Sequence, residues 1–326
     1  MTTVKMLPAL ALLGLLGQAA TASAQQPIAI ATPPSGSIYN STAAAIGKVL
    51  ADKTDLKMTL QALGGSSQYV PIVNAGEVPF GIANVYETNL AVVGDDYFKG
   101  RPQKDIRAVA VLYPLRNAIF VKKDSKYKKL SDLKGARGPT GFTNQKVLTA
   151  VTNAALAPGG ITLDDVQGVQ VANIIANANA FKEGRTDFFV FALGAGPIQE
   201  ADAAVGGVRA LTVDKDTPEN RALVKKHVSV AYLLHQEPGK GKTGLLEPGY
   251  IVSYGVNLFA STKTPEDTVY KVVKAMHENA GEFGKVFPPL NLMKKDAMAQ
   301  EIEGVEYHAG AIKYYKEVGQ WPPKAQ

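Results

Sequence analysis

The 326-residue sequence has no cysteine and a single tryptophan, and aromatic residues make up 8% of it. Without cysteine there is no disulfide, no thiolate nucleophile and no thiolate metal site, so stability has to come from a large packed core. Histidine is scarce too. His227, His235, His277 and His308 stand apart, with no close pair at metal-ligand spacing, so no metal site is expected. No G-x-S-x-G elbow supplies a serine nucleophile. Gly239-Lys240-Gly241-Lys242-Thr243 ends like a phosphate-binding loop, but the first glycine of that pattern would fall on Gln236, so the segment reads as an exposed basic loop. There is no low-complexity tract and no repeat of solenoid period.

One apolar run stands out. Leu7 to Gly17 is preceded by Lys5 and followed by Ala22-Ser23-Ala24, the pattern of a cleavable export signal. The run falls short of the roughly 20 apolar residues that a membrane span needs. The reading is a signal over residues 1–24, cleavage after about Ala24, and a mature periplasmic chain that starts near Gln25. The formal net charge is +6, and losing Lys5 lowers it to +5. That modest excess points toward anionic partners. The densest basic run, Lys122 to Lys129, has no nucleic-acid fold signature and reads as a solvated edge, so no nucleic-acid partner is expected.

Short apolar runs alternate with helix-period segments, which predicts an α/β fold of about two domains. Strands are expected at Pro27–Thr32, Lys57–Ala62, Phe80–Ala83, Ile106–Leu112, Asn117–Lys122, Phe188–Leu193 and Tyr250–Ala260. Helices are expected at about Ser41–Lys53, Asn144–Leu156 and Ala309–Val318. A further helix is capped by Thr264, with Pro265 at its first position and Val269, Val272, Val273 and Met276 buried. Pro71 should open a short helix after the Gly64-Gly65-Ser66-Ser67 turn, Ser131 to Gly135 a short helix ended by glycine, and Gly138 to Thr143 a glycine-rich turn. The strands on either side of Tyr113-Pro114, and the long run from Tyr250, are placed where the chain crosses between two lobes.

Two segments share one physical design. Ser35-Gly36-Ser37-Ile38-Tyr39 and Thr140-Gly141-Phe142-Thr143-Asn144 each put hydroxyls and glycines before a helix start. Free N–H groups and the helix dipole make such ends anion sites, although plain helix capping explains each one taken alone. Two of them, one per lobe, suit a small anion with acidic groups at both ends.

In these segments the chain resembles the TAXI-type solute-binding proteins of TRAP transporters. The resemblance is carried by the opening loop through Tyr39, Gly64-Gly65-Ser66, Asn74 to Asn84, Ala110 to Pro114, Leu130 to Gly135, Phe181 to Phe189 and Tyr307 to Tyr315. It implies a bilobed, type II-like periplasmic binding protein with two α/β lobes joined by crossover strands at a hinge. Lobe I would hold residues 25–116 and 257–326, and lobe II residues 117–256. The implied function is capture of a dicarboxylate, oxoacid or glutamate-like acid and delivery to TRAP membrane subunits driven by an ion gradient, with no catalysis and no cofactor. Position by position, the resemblance implies ligand contacts at Ser35, Gly36, Ser37, Tyr39, Gly65, Ser66, Asn84, Thr140, Thr143, Asn144 and Phe191. Arg116, beside the crossover, is added as a guanidinium able to pair with a ligand carboxylate, with Arg137 as a weaker candidate; a surface arginine at a loop end explains Arg116 as simply. Two departures concern the pocket. Gly135 to Pro139 leaves little room for the family's strand before the second-lobe loop, and Ile38-Tyr39 replaces its tyrosine pair. A sensor presenting the same ligand to a membrane receptor or kinase, or an enzyme on the same fold, are the alternatives. The expected state is a monomer.

Overall fold

In the computed structural model, which describes Thr2 and residues 28–324, strands and helices alternate as the hydrophobic pattern requires. Apart from Thr2, the predicted export segment lies outside the described residues. The chain runs β1 (Ile28–Thr32), α1 (Ile38–Lys53), β2 (Met58–Ala62), α2 (Ser66–Asn74), β3 (Phe80–Asn84), α3 (Val85–Val93) and β4 (Ile106–Lys122). It continues through β5 (Arg137–Gly141), α4 (Val147–Leu156), β6 (Gln167–Val171), α5 (Ile174–Lys182), β7 (Phe188–Ala192), α6 (Gly196–Val205), β8 (Val208–Leu211), α7 (Pro218–His227) and β9 (Tyr232–Gln236). β10 (Gly249–Ser261) then leads to α8 (Glu266–Glu278), α9 (Ala280–Val286) and α10 (Ala309–Glu317).

Two long strands tie the lobes together. In the first lobe the strand order is β2-β1-β3-β10-β4, with β1 parallel to both neighbours and β10 antiparallel to β3 and β4. The other ends of the same two strands serve the second lobe. There β10 pairs with β9 over Gly249 to Ser253, and β4 pairs with β7 and β8 over Asn117 to Lys122. Ile106–Leu112 and Asn117–Lys122, expected as two strands, are therefore one strand of 17 residues. Tyr113 to Arg116 stays extended because proline's fixed φ suits an extended chain, and Pro114 sits opposite Gly255.

The ladder between the crossover strands is broken twice. Its register slips between Val256 and Asn257, leaving Leu112 without an opposite residue, and again between Leu258 and Phe259, leaving Val109. The C-terminal segment takes up the freed groups. Val111 N–H donates to the Met298 carbonyl at 2.9 Å, and the Tyr315 hydroxyl donates to the Val109 carbonyl at 2.9 Å.

Other sequence expectations shift at element ends. α1 starts at Ile38 and α4 at Val147. Pro71 lies inside α2, which opens after Gly65. α8 starts after Pro265, and the Thr264 hydroxyl, expected to cap it, donates to the Pro79 carbonyl at 3.0 Å instead. Its predicted stripe, Val269, Val272, Val273 and Met276, is buried. Residues 138–143 do not form a simple turn. The short strand for which the sequence leaves little room is present as β5, parallel to β6, with only the tail of the segment turning at Gly141 and Phe142. It fits because Gly138 lies against the Phe188 ring, where an added Cβ would come within 2.5 Å.

Candidate ligand site between the lobes

Four helices begin at one place. Ser37 caps α1 by accepting from the Asn40 N–H at 3.2 Å, Asn84 caps α3 by accepting from Glu87 N–H at 2.7 Å, and Asn173 caps α5 by accepting from Ile175 and Ala176 at 3.1 and 3.0 Å. With the start of α4 at Val147, these N-termini surround a small cavity of about 30 Å³. The first lobe lines it with Ser37, Tyr39 and Asn84, the crossover strands with Asn117 and Tyr254, and the second lobe with Gln145, Ile174 and Phe191. No charged side chain is among the lining residues. The positive ends of four helix dipoles are thus left to set the potential, and they favour an anion.

The polar lining groups are held in place. Asn117 Nδ2 donates to the Tyr254 hydroxyl, and Gln145 Oε1 accepts the Ile174 N–H at 3.2 Å. Burial, with neighbouring Tyr254, Tyr113, Tyr69 and Glu87, pushes the Tyr39 phenol well above its ordinary pKa, and burial does the same to Tyr254. Both stay protonated and can donate. Behind them Glu87 is fully buried, and burial pushes its carboxyl up to about 7. The Tyr97 hydroxyl donates to Glu87 Oε1 and opposes that rise. Ser66 Oγ also favours the ionised form, without making a well-formed hydrogen bond to it.

The lobes are closed on one another. Asn173 Nδ2 donates to the Gly64 carbonyl at 2.9 Å, and Lys146 N–H donates to Ser67 Oγ at 2.9 Å. Gly65 lies so close to the second lobe that an added Cβ would stand 2.2 Å from the Asn144 carbonyl oxygen. A void of this size suits a single water, so a larger ligand enters only after the lobes part.

The structure gathers Ser37, Tyr39, Asn84 and Phe191 around the cavity. Gly65 and Asn144 meet at the seam between the lobes, and Ser66 is buried beside Glu87. Ser35 and Gly36 are exposed, with Gly36 facing Ile175 and Pro197 across the seam. Thr140 lies on β5, outside the cavity lining, and accepts from Gln170 Nε2 at 3.4 Å. Thr143 is exposed in a surface depression shared with Ser67 and Lys146.

The two arginines lie elsewhere. β-strand alternation sends Leu115 and Asn117 into the cavity and Pro114 and Arg116 into a cleft on the opposite face of the strand. Arg137 pairs with Asp187 at 2.6 Å on the surface. Asn117, Gln145, Asn173, Ile174 and Tyr254 escaped the sequence reading. Asn117 and Tyr254 sit in runs that read as plain strand, and only the pairing of β4 with β10 brings them to the lobe junction.

A model of the NMT1-like family matches residues 30–319. Among solved structures, the periplasmic binding protein BugD superposes with a TM-score of 0.59 at 11% identity, over 92% of this chain and 99% of that one. MatC from Rhodopseudomonas palustris, with bound malate, gives 0.53 at 16% identity over 90% and 97%. A second R. palustris protein, with adipate, gives 0.53 at 17% over 80% and 87%. At these identities the likeness is one of fold, that of the bilobed periplasmic binding proteins.

Proposed function

The chain belongs to the NMT1-like family, and on that premise we propose that it is the exported solute-binding subunit of a TRAP-type secondary transporter, of the TAXI kind. It captures a small organic acid between its lobes and hands it to the membrane subunits. The observation that carries this reading is the convergence of four helix N-termini on an uncharged cavity at the lobe junction. Malate in one structural relative and adipate in another support a dicarboxylate or oxoacid as the ligand class. No helix among the described residues is long and apolar enough to cross a membrane, which agrees with a subunit that meets its permease from outside.

The mechanism is a shift of population. An acid that touches Ser37, Tyr39 and Asn84 from one side and Gln145 and the α5 start from the other makes all its contacts only in the closed form. It stabilises closure by that difference in affinity. The lobes divide near residues 116/117 and 256/257, and the mature chain, from near Gln25, works as a monomer in the periplasm.

The test is a thermal-shift screen of the mature protein against dicarboxylates, oxoacids, acidic amino acids and aromatic acids. A ligand at 100 times its Kd adds about 2.7 kcal/mol, a readily visible rise in melting temperature. A dicarboxylate or oxoacid hit that Tyr39→Phe weakens upholds the reading. A clean melt that no acid moves overturns it.

A further inference from the structure

Behind the crossover strands, on the face away from the interlobe cavity, lies a cleft of about 660 Å³. Both lobes build it. Alternate residues of β9, Tyr232, Leu234 and Gln236, form one wall, and Leu292, Lys294 and Gln300 of the C-terminal segment form the other. Its floor is the irregular part of β4, where the slip at Leu112 turns both Val111 and Leu112 toward it, followed by Pro114 and Arg116.

The charge of this cleft has one sign. Arg116, Lys242 and Lys294 line it, and no carboxylate does. None of the three makes an ion pair among the described residues. Arg116 is only partly exposed, and its Nη1 donates to the neutral Gln236 amide oxygen at 3.2 Å. Lys242 donates to the Glu237 backbone carbonyl at 2.8 Å, and the Glu237 carboxylate weakly favours its charged form. Burial lowers the pKa of both cations, and their mutual repulsion adds to this at Lys242. A partly desolvated guanidinium facing only an amide is a costly arrangement until an anion joins it. Leu112, Pro114, Leu234 and Leu292 give the cleft an apolar stretch, and Gln236 and Gln300 are its uncharged polar members.

We propose that this cleft is a second binding site, for an amphipathic organic acid whose carboxylate pairs with Arg116 and Lys242 and whose apolar body lies along Leu112, Leu234 and Leu292. The two sites occupy opposite faces of the same crossover strands, so rotation that opens the interlobe site narrows the rear cleft. An occupant of the rear cleft therefore holds the lobes closed and tightens binding in front. By reciprocity the front ligand tightens the rear site equally. The site does not depend on the identity of the interlobe ligand.

The probe is octanoate, with octanamide as its uncharged match, titrated into the mature protein and followed by backbone amide shifts. The expected result is saturable shifts at residues 111–116, 232–236 and 292–300, none with octanamide, and about tenfold weaker binding in Arg116→Gln. Lys242→Gln weakens it as well, and both variants melt as the parent does. With the acid found by the screen, octanoate lowers the front Kd several-fold. No saturable shift at millimolar octanoate overturns this site and leaves the interlobe reading intact. So does a shift pattern centred on Tyr39, Asn117 and Phe191, which would make octanoate a front-site ligand. Equal binding by octanamide or by Arg116→Gln overturns the charge argument. An unchanged front Kd in saturating octanoate overturns the coupling.

Discussion

Closure can be blocked at one atom. Gly65 has φ 164° and ψ 172°, an extended conformation open to any residue, so alanine there carries no backbone strain. Its methyl group would nevertheless stand 2.2 Å from the Asn144 carbonyl oxygen, 2.7 Å from the carbonyl carbon and 2.9 Å from Gln145 Cβ. All three atoms belong to the second lobe, and two are backbone that cannot swing aside. The lobes would have to stay apart by roughly 1 Å to bring the contact near van der Waals distance. That separation stretches the bonds of Asn173 to Gly64 and Lys146 to Ser67, both 2.9 Å, beyond useful length. Two net hydrogen bonds at about 1 kcal/mol each give Gly65→Ala a loss of roughly 2 kcal/mol in the closed state, about thirtyfold in Kd. Calorimetric titration with the acid found by the screen measures the loss. Chemical denaturation should show stability retained, since neither lobe's core is touched. Gly64→Ala is the control: its methyl would meet mainly the flexible ends of Gln68 and Asn144, at 2.5 and 2.9 Å. Equal ligand affinity for Gly65→Ala and the parent would refute the closed-lobe reasoning.

Glu87, with its pKa raised from 4.5 to about 7, holds a proton in the native state that the unfolded chain gives up over that interval. The stability this contributes is full below pH about 4.5 and lost as pH rises through about 7, so Glu87→Gln should match the parent near pH 5 and exceed it near pH 8, by on the order of 2–3 kcal/mol in urea titrations. Gly310→Ala should cost about 1–3 kcal/mol in the same assay, because its methyl would stand 2.2 Å from the Glu266 carbonyl oxygen where α10 crosses α8. Phe189→Ala, fully buried against Phe120 and Phe181, should cost about 3–5 kcal/mol, and a parental unfolding curve would count against the packing described. Thr143→Ala should leave ligand affinity within about twofold, since the side chain is exposed outside the cavity lining; a larger loss would place Thr143 on the ligand.

The α/β order was legible because apolar runs such as Phe188 to Ala192 and the buried stripe of α8 follow the periods of strand and helix. β5 was hidden because Gly138 and Pro139 weigh against a strand locally, and the Phe188 ring that makes the glycine necessary lies some 50 residues away. On the candidate site, Ser37 and Tyr39 could be read from the loop before the first helix, and Asn84 and Phe191 only through the family resemblance. The remaining lining could not be read. Asn117 and Arg116 are adjacent in sequence and face opposite ways, and only strand pairing decides which of the two reaches the cavity. Helix starts misled at Thr143, because α4 begins at Val147, three residues later than its preceding hydroxyl suggested.

The place of β10 in the sheet governs the order of folding. Residues 249–261 form the strand between β3 and β4, so the first lobe cannot complete its sheet until the whole second lobe has been synthesised. Until then the β3 edge and the apolar β4 lack their partner, and the contact that supplies it spans well over a hundred residues. Such non-local pairing is intrinsically slow. A growing chain of this topology therefore cannot lock its first lobe shut until β10 has emerged, however early the residues of β1 to β4 are made.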